Sequence, residues 1–144
     1  MTPQENNATA RRFFDSAWNR GDFSVLDELL TSDSMDYSTL HGQPEQGSDS
    51  FRQIISSFRT AFPDIHLTID DEIFTADKVV HRWTLSGTHT GPFMGGLPPT
   101  GKKVEFTGTT IVQMKDGRIA ARWSNLDMLR LLQQLGIAPV PAGN

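Results

Sequence analysis

The stretch VEFTGTTIVQMKDGRIAARWSNLD, Val104 to Asp127, decides the fold. Val104, Phe106, Gly108, Thr110, Val112 and Met114 recur at a period of two, the signature of a strand with one buried face. Asp116-Gly117 comes next, the pair that best fits a two-residue hairpin turn, so the chain is expected to return antiparallel. On the returning strand Ile119, Ala121, Trp123, Asn125 and Asp127 share the more apolar face by strict alternation. Asp127 is then a lone carboxylate opening an apolar helical segment, MLRLLQQLG. Two readings compete for it: a cap on that helix, or an acid/base in an apolar hollow.

Upstream, Ile65, Leu67, Ile69 and Ile73 alternate in the same way, as do Val79, His81, Trp83, Leu85 and Gly87. Between these strands and the hairpin, GTHTGPFMGGLPPTGKK is too long and too rich in glycine and proline for a tight turn, and loops of this kind often border sites. The first third of the chain has the helical period instead. Thr2-Pro3-Gln4-Glu5 has the order of a capping box, and Ala10, Phe13, Phe14, Ala17 and Trp18 mark one face up to Gly21. Asp22 can cap a shorter helix with Val25, Leu26, Leu29 and Leu30 on its inner stripe, and MDYSTLHG reads as a short strand. Ser50 and Gln53 suggest a second capping box, followed by Phe51, Ile54, Ile55, Phe58 and Phe62 until Pro63 stops the helix.

Helices followed by hairpin-linked strands imply one α+β domain over residues 1–144, its curved antiparallel sheet covered by the early helices. A sheet bent around helices encloses a cavity. Parity directs Trp83, Phe106, Trp123, Asn125 and Asp127 into it, with Phe14, Trp18 and Tyr37 closing its other walls.

The 144 residues include no cysteine, which removes disulfides and thiolate chemistry and is compatible with a reducing, cytoplasmic address. Seventeen acidic against thirteen basic residues, the latter scattered, argue against nucleic acid. No run approaches the ~18 apolar residues of a membrane span, and no export signal opens the chain. The histidines at 41, 66, 81 and 89 do not form a metal set: His81 and His89 lie about 26 Å apart along a continuous strand, and HExxH is missing. Nucleotide-binding and nucleophile-elbow motifs are missing too. His81 fits a satisfied core histidine better than a ligand-binding one, whereas His89 in THTG is balanced between holding its loop and moving protons.

The segments FPDIHLTIDDEIF, TLSGTHTGPFMGGLPPTGKKVEFTG, DGRIAARWSNLD and LLQQLG, in this order, resemble the SnoaL-like polyketide cyclases of the nuclear transport factor 2-like superfamily. The resemblance runs from about Phe62 to Gly136. It implies a cone-shaped barrel, a strongly curved, mainly antiparallel sheet wrapped around the N-terminal helices, paired as a homodimer through the outer sheet face. It further implies cofactor-free and metal-free intramolecular aldol condensation of a small, apolar or aromatic, polyketide-like substrate. Asp127 matches the aspartate that abstracts the proton in such chemistry, which tips it toward catalysis, with His89 as an assisting group. Trp18, Phe14, Tyr37, His41, His81, Trp83, Phe106, Trp123 and Asn125 are the expected substrate contacts. One departure stands out: these cyclases place histidines beside the aspartate, and the neighbouring strand here offers Thr109, Thr110 and Gln113. The alternatives are a related isomerase, dehydratase or hydroxylase, a non-catalytic binder in which Asp127 is only a cap, and an interaction module recognised by a cavity filled with side chains.

Overall fold

A computed structural model describes residues 1–37, 43–93 and 96–140. Helix α1 (Pro3–Phe13) starts where expected: Thr2 Oγ1 accepts a hydrogen bond from the Glu5 amide at 3.1 Å, with proline at the first helical position. It runs on into a wider π-helical turn, Phe14–Asn19, that buries Phe14, Ala17 and Trp18. Asp22 does act as a cap, but of a 3-10 turn (Phe23–Val25) leading into the single-turn α2 (Leu26–Leu29). Leu30 opens strand β1 (Leu30–Asp36) and does not finish the helix, so the first strand begins earlier than MDYSTLHG suggested.

After β2 (Glu45–Gln46) comes α3 (Ser48–Ala61). Its cap is Gly47 without a side-chain bond, in place of the expected Ser50. Phe51, Ile55 and Phe58 are its buried stripe, and Pro63 lies just beyond its end, as the spacing predicts. The strands β3 (His66–Phe74), β4 (Lys78–Thr88), β5 (Lys103–Lys115) and β6 (Arg118–Leu126) come next, and α4 (Met128–Gln134) ends the fold.

Among the described residues the strands form one six-stranded sheet in the order β2-β1-β6-β5-β4-β3. The hairpins β3-β4, β4-β5 and β5-β6 are antiparallel, and Asp116 and Gly117 both take positive φ at the last turn (51° and 78°), as a two-residue turn of that hand requires. β1 pairs with β6 in parallel. This corrects the expected barrel. The sheet is mixed, and its order is linear with β2 and β3 as free edges, so it is neither closed nor wrapped into a strongly curved cone. Helices still cover one face: Ala10, Phe13, Phe51, Ile55 and Phe58 pack on Val79, Trp83, Leu85, Phe106 and Val112 in a single core.

Two bulges overturn the simple alternation. In β3, Ile69 pairs with Trp83 but Asp71 with Arg82, so Asp70 is an extra residue. Beyond it the faces exchange: Glu72 turns inward and Ile73 is 64 % exposed. In β6, Met114 pairs with Ile119 but Gln113 with Ala121, so Ala120 is extra. Because side chains alternate with a period of two, one inserted residue moves every later one in the strand to the opposite face. Arg122, Ser124 and Leu126 therefore point toward the helices, and Trp123 and Asn125 point away.

Candidate functional site

Between the helices and the sheet lies a small cavity of about 10 Å³, lined by Phe14, Trp18, Ile54, Phe58, Leu67, Trp83, Leu85, Arg122 and Leu126. That is room for about one water molecule. Phe14 and Leu67 form a partition, since both also line an open groove of about 610 Å³ on the outside, with Arg11, Asp15, Asn19 and His66.

The wall is apolar and aromatic except for one cation. Arg122 is buried and its Nη1 lies 3.7 Å from Oδ1 of the equally buried Asp36, next to it on the parallel strand. The guanidinium also stands 6.0 Å from the Phe13 ring centroid and 5.9 Å from that of Phe51, two aromatic faces that favour a desolvated cation. Burial lowers the Arg122 pKa from its ordinary 12.5, and the Asp36 carboxylate opposes this. Arginine nevertheless stays charged. Deeper in the sheet, Trp83 Nε1 donates to Thr110 Oγ1 at 2.8 Å, and Thr110 Oγ1 lies 2.8 Å from Ser124 Oγ, a polar chain across three strands. Gly108 makes this possible, because a Cβ there would overlap the Trp83 ring.

The expected site residues separate into those in the wall and those elsewhere. Phe14, Trp18 and Trp83 line the cavity. Phe106 is buried behind it, edge-on to Trp83 with ring centroids 6.2 Å apart. Trp123 and Tyr37, expected inside, are on the outer face at 40 % and 44 % exposure, where their rings stack in parallel 5.1 Å apart. Asn125 is exposed like Trp123, since both come after the Ala120 bulge. His41 lies outside the described residues.

Asp127 is exposed and sits at the N-cap of α4, its Oδ1 accepting from the Arg130 amide at 3.1 Å. It does not line the cavity. The helix that Asp127 opens is structural as well: the Gln134 side chain bonds both the amide and the carbonyl of Glu105, each at 2.7 Å, clamping α4 along β5.

His81 is buried, and its Nε2 donates to Asn7 Oδ1 at 2.8 Å, with Glu72 Oε2 at 3.6 Å. Desolvation lowers its pKa to about 4 despite the attraction of Glu72, so near neutrality it is uncharged and belongs to the core. Glu72 itself, hydrogen-bonded by Arg11 and Asn7, is lowered to about 2. His89 is fully buried against Phe62 and Phe93. Its Nδ1 accepts from the Thr100 amide at 3.2 Å and faces the Thr100 hydroxyl at 3.0 Å, which ties both ends of the glycine- and proline-rich loop together. Neither histidine lines the cavity. Arg122, which does define its polar end, and Asp36, which pairs with that arginine, escaped the alternation argument; the signal available was a lone arginine between Ala121 and Trp123. Among the described residues no group of three or more His, Cys, Asp or Glu is placed to hold a metal ion, and no helix is long and apolar enough to cross a membrane.

The family described as SnoaL-like polyketide cyclase matches residues 8–135. The chain belongs to this family. Its fold is close to that of TsrD from Streptomyces laurentii, at 29 % identity with 95 % of this chain and 98 % of that one covered and a TM-score of 0.83. A candidate polyketide cyclase of Bacillus cereus shares 30 % identity over 94 % of this chain and 83 % of its own, with a TM-score of 0.80. The candidate hydroxylase AclR of Streptomyces galilaeus shares 28 % identity over 98 % and 87 %, with a TM-score of 0.84. Cyclase and hydroxylase descriptions thus occur among structures that share this scaffold. No curated protein matches the chain.

Proposed function

We propose that this chain is a cofactor-free enzyme of carbon-acid chemistry that closes a ring on a small, flat, polyketide-like substrate by intramolecular aldol condensation. The observation that carries the reading is Arg122 in the wall of an apolar aromatic cavity, with the buried Asp36 paired to it at 3.7 Å. In the proposed step the Asp36 carboxylate takes a proton from a carbon flanked by two carbonyls. The enolate oxygens face Arg122, the enolate carbon bonds to a second carbonyl carbon of the same molecule, and the proton passes to the alkoxide so formed. A positioned base contributes about 10² to 10⁴ in rate, and a fixed cation stabilises charge where it develops. Ligand pockets span roughly 300 to 1,000 Å³, so a substrate enters by displacing the Phe14–Leu67 partition and joining the cavity to the outer groove. Phe14 opens a π-helical turn, a device common at functional sites.

The reading is tested with an aromatic β-keto ester in deuterated buffer, following deuterium uptake at the carbon between the carbonyls by NMR. The protein should accelerate exchange, and Asp36→Asn should remove at least 100-fold of the acceleration, in line with the ~10² to 10⁴ of a general base. Absence of any acceleration, or full activity in Asp36→Asn, overturns it.

The small cavity favours a second reading, an interaction module that pairs with a second copy through the outer sheet face. The stacked Tyr37 and Trp123, with Ile111 at 37 % exposure opposite Trp123, form an apolar patch there. Sedimentation tests it: a micromolar dimer that Trp123→Ser dissociates is the expected result, and a monomeric wild type defeats the dimer.

A further inference from the structure

Buried N–H groups in this fold generally find acceptors. Trp83 Nε1 reaches Thr110, and the Arg59 guanidinium reaches the Trp18 and Asn19 carbonyls at 2.6 and 3.0 Å. Two donors in the cavity wall do not: Trp18 Nε1 and Arg122 Nε are buried, and no acceptor among the described residues faces either. Each parent residue is 4 % exposed. Buried donors without partners are uncommon enough in native folds to need an explanation. His89 Nε2 and Arg52 Nε share the feature but stand outside this wall.

Both donors are also held firmly. Trp18 lies in the π-helical turn that Arg59 pins through the Trp18 carbonyl, and its ring rests 5.7 Å from that of Phe58. Arg122 is fixed by Asp36 and by the rings of Phe13 and Phe51. Donors fixed in a water-poor site and lacking an internal acceptor are the arrangement that stabilises an oxygen whose negative charge grows during reaction. Because Asp36 already balances Arg122, the site suits an oxygen that is neutral when bound and gains charge as a proton leaves the ligand.

We propose that Trp18 and Arg122 together form an acceptor-oxygen site for a planar apolar ligand, taking the carbonyl oxygen that becomes the enolate. The proposal rests on the cavity being the substrate site and adds what the substrate must carry: an oxygen conjugated to a flat apolar body, placed against the indole N–H and the guanidinium.

The test compares 2-naphthol, an enol mimic, with 2-methylnaphthalene, which has the same body without the oxygen. Binding is measured by calorimetry, and the indole N–H signals of Trp18, Trp83 and Trp123 are followed by NMR, the Trp18 signal being the one absent in Trp18→Phe. Naphthol should bind about tenfold tighter, as expected for two modest hydrogen bonds, and should move the Trp18 signal downfield while methylnaphthalene does not. Trp18→Phe, which keeps an aromatic ring in the wall, should erase the advantage. Arg122→Lys should narrow it, and Trp18→Phe decides the matter if the lysine variant does not fold. Equal binding of the two ligands, or an advantage that survives Trp18→Phe, overturns the acceptor site and leaves the cavity reading standing. Failure of both ligands to bind overturns the acceptor site and the cavity reading together.

Discussion

Replacing His81 with Gln should remove a pH dependence of stability that the wild type carries between pH 7.5 and 5. In the folded chain the residue is 1 % exposed, its ring packs 5.4 Å from that of Phe14, and it titrates at about 4 instead of 6.5. Three effects meet at this ring. Desolvation disfavours the imidazolium, Glu72 at 3.6 Å favours it, the charge of Arg11 disfavours it, and desolvation is the largest. The folded pKa is depressed, so protonation favours the unfolded chain. Stability is full above about 6.5 and is lost as pH falls, at about 1.4 kcal/mol per pH unit once the unfolded histidine is protonated and the folded one is not. Between pH 7.5 and 5 this amounts to about 2 kcal/mol. Below pH 5 the carboxylates join in, Glu72 with its pKa of about 2 among them, which makes the range above pH 5 the clean one. Urea unfolding followed by tryptophan fluorescence measures both proteins across that range. The Gln side chain can keep the bond to Asn7, so the variant should fold, and its stability relative to the wild type should improve by about 2 kcal/mol on going from pH 7.5 to 5. Parallel curves, or a wild type that gains stability relative to the variant as pH falls, would show that Glu72 wins and that the reasoning about burial is wrong.

Two further substitutions probe the elements that shape the site. Gly108→Ala places a Cβ against a Trp83 ring that Thr110 holds in position, and should cost about 1 to 3 kcal/mol in urea unfolding, as overpacking does elsewhere; an unchanged midpoint would mean the indole has freedom the hydrogen bond denies it. Asp127→Ala removes the α4 cap and should cost about 1 kcal/mol while leaving naphthol binding unchanged, and loss of binding with retained stability would return Asp127 to the site.

The positions of these groups show what residue patterns can and cannot reveal. The helical stripe of Phe51, Ile55 and Phe58, the capping of α1 by Thr2, the alternation of β4 and β5 and the Asp116-Gly117 turn all arise from local periodicity and backbone preference, and the structure has each of them. The family was legible too, from segments whose roles are partly structural, such as the His89–Thr100 clasp and the Gln134 clamp. The site was only half legible. Trp83 lies in a strand whose alternation is unbroken, and Phe14 and Trp18 stay buried even though the helix widens into a π-helical turn at Phe14, so their period points correctly inward. Arg122, Ser124, Trp123 and Asn125 all come after Ala120, and a bulge is a property of the pairing of two strands, without a signature in the alternation of one. Asp70 does the same to Glu72 and Ile73. The parallel pairing of β1 with β6, which brings Asp36 to Arg122, is a contact between distant parts of the chain and carries no local pattern. The open edges at β2 and β3 are equally global, so no local pattern stood against the barrel that the family resemblance implied.

The central claim is that proton transfer belongs to Asp36 beside Arg122 and not to Asp127 at the helix cap. Deuterium exchange of the β-keto ester, run side by side with the wild type, Asp36→Asn and Asp127→Asn, tests it directly. The account predicts a rate within a few-fold of wild type for Asp127→Asn and a loss of about 100-fold or more for Asp36→Asn. The reverse pattern, an inert Asp127→Asn beside an active Asp36→Asn, would contradict it.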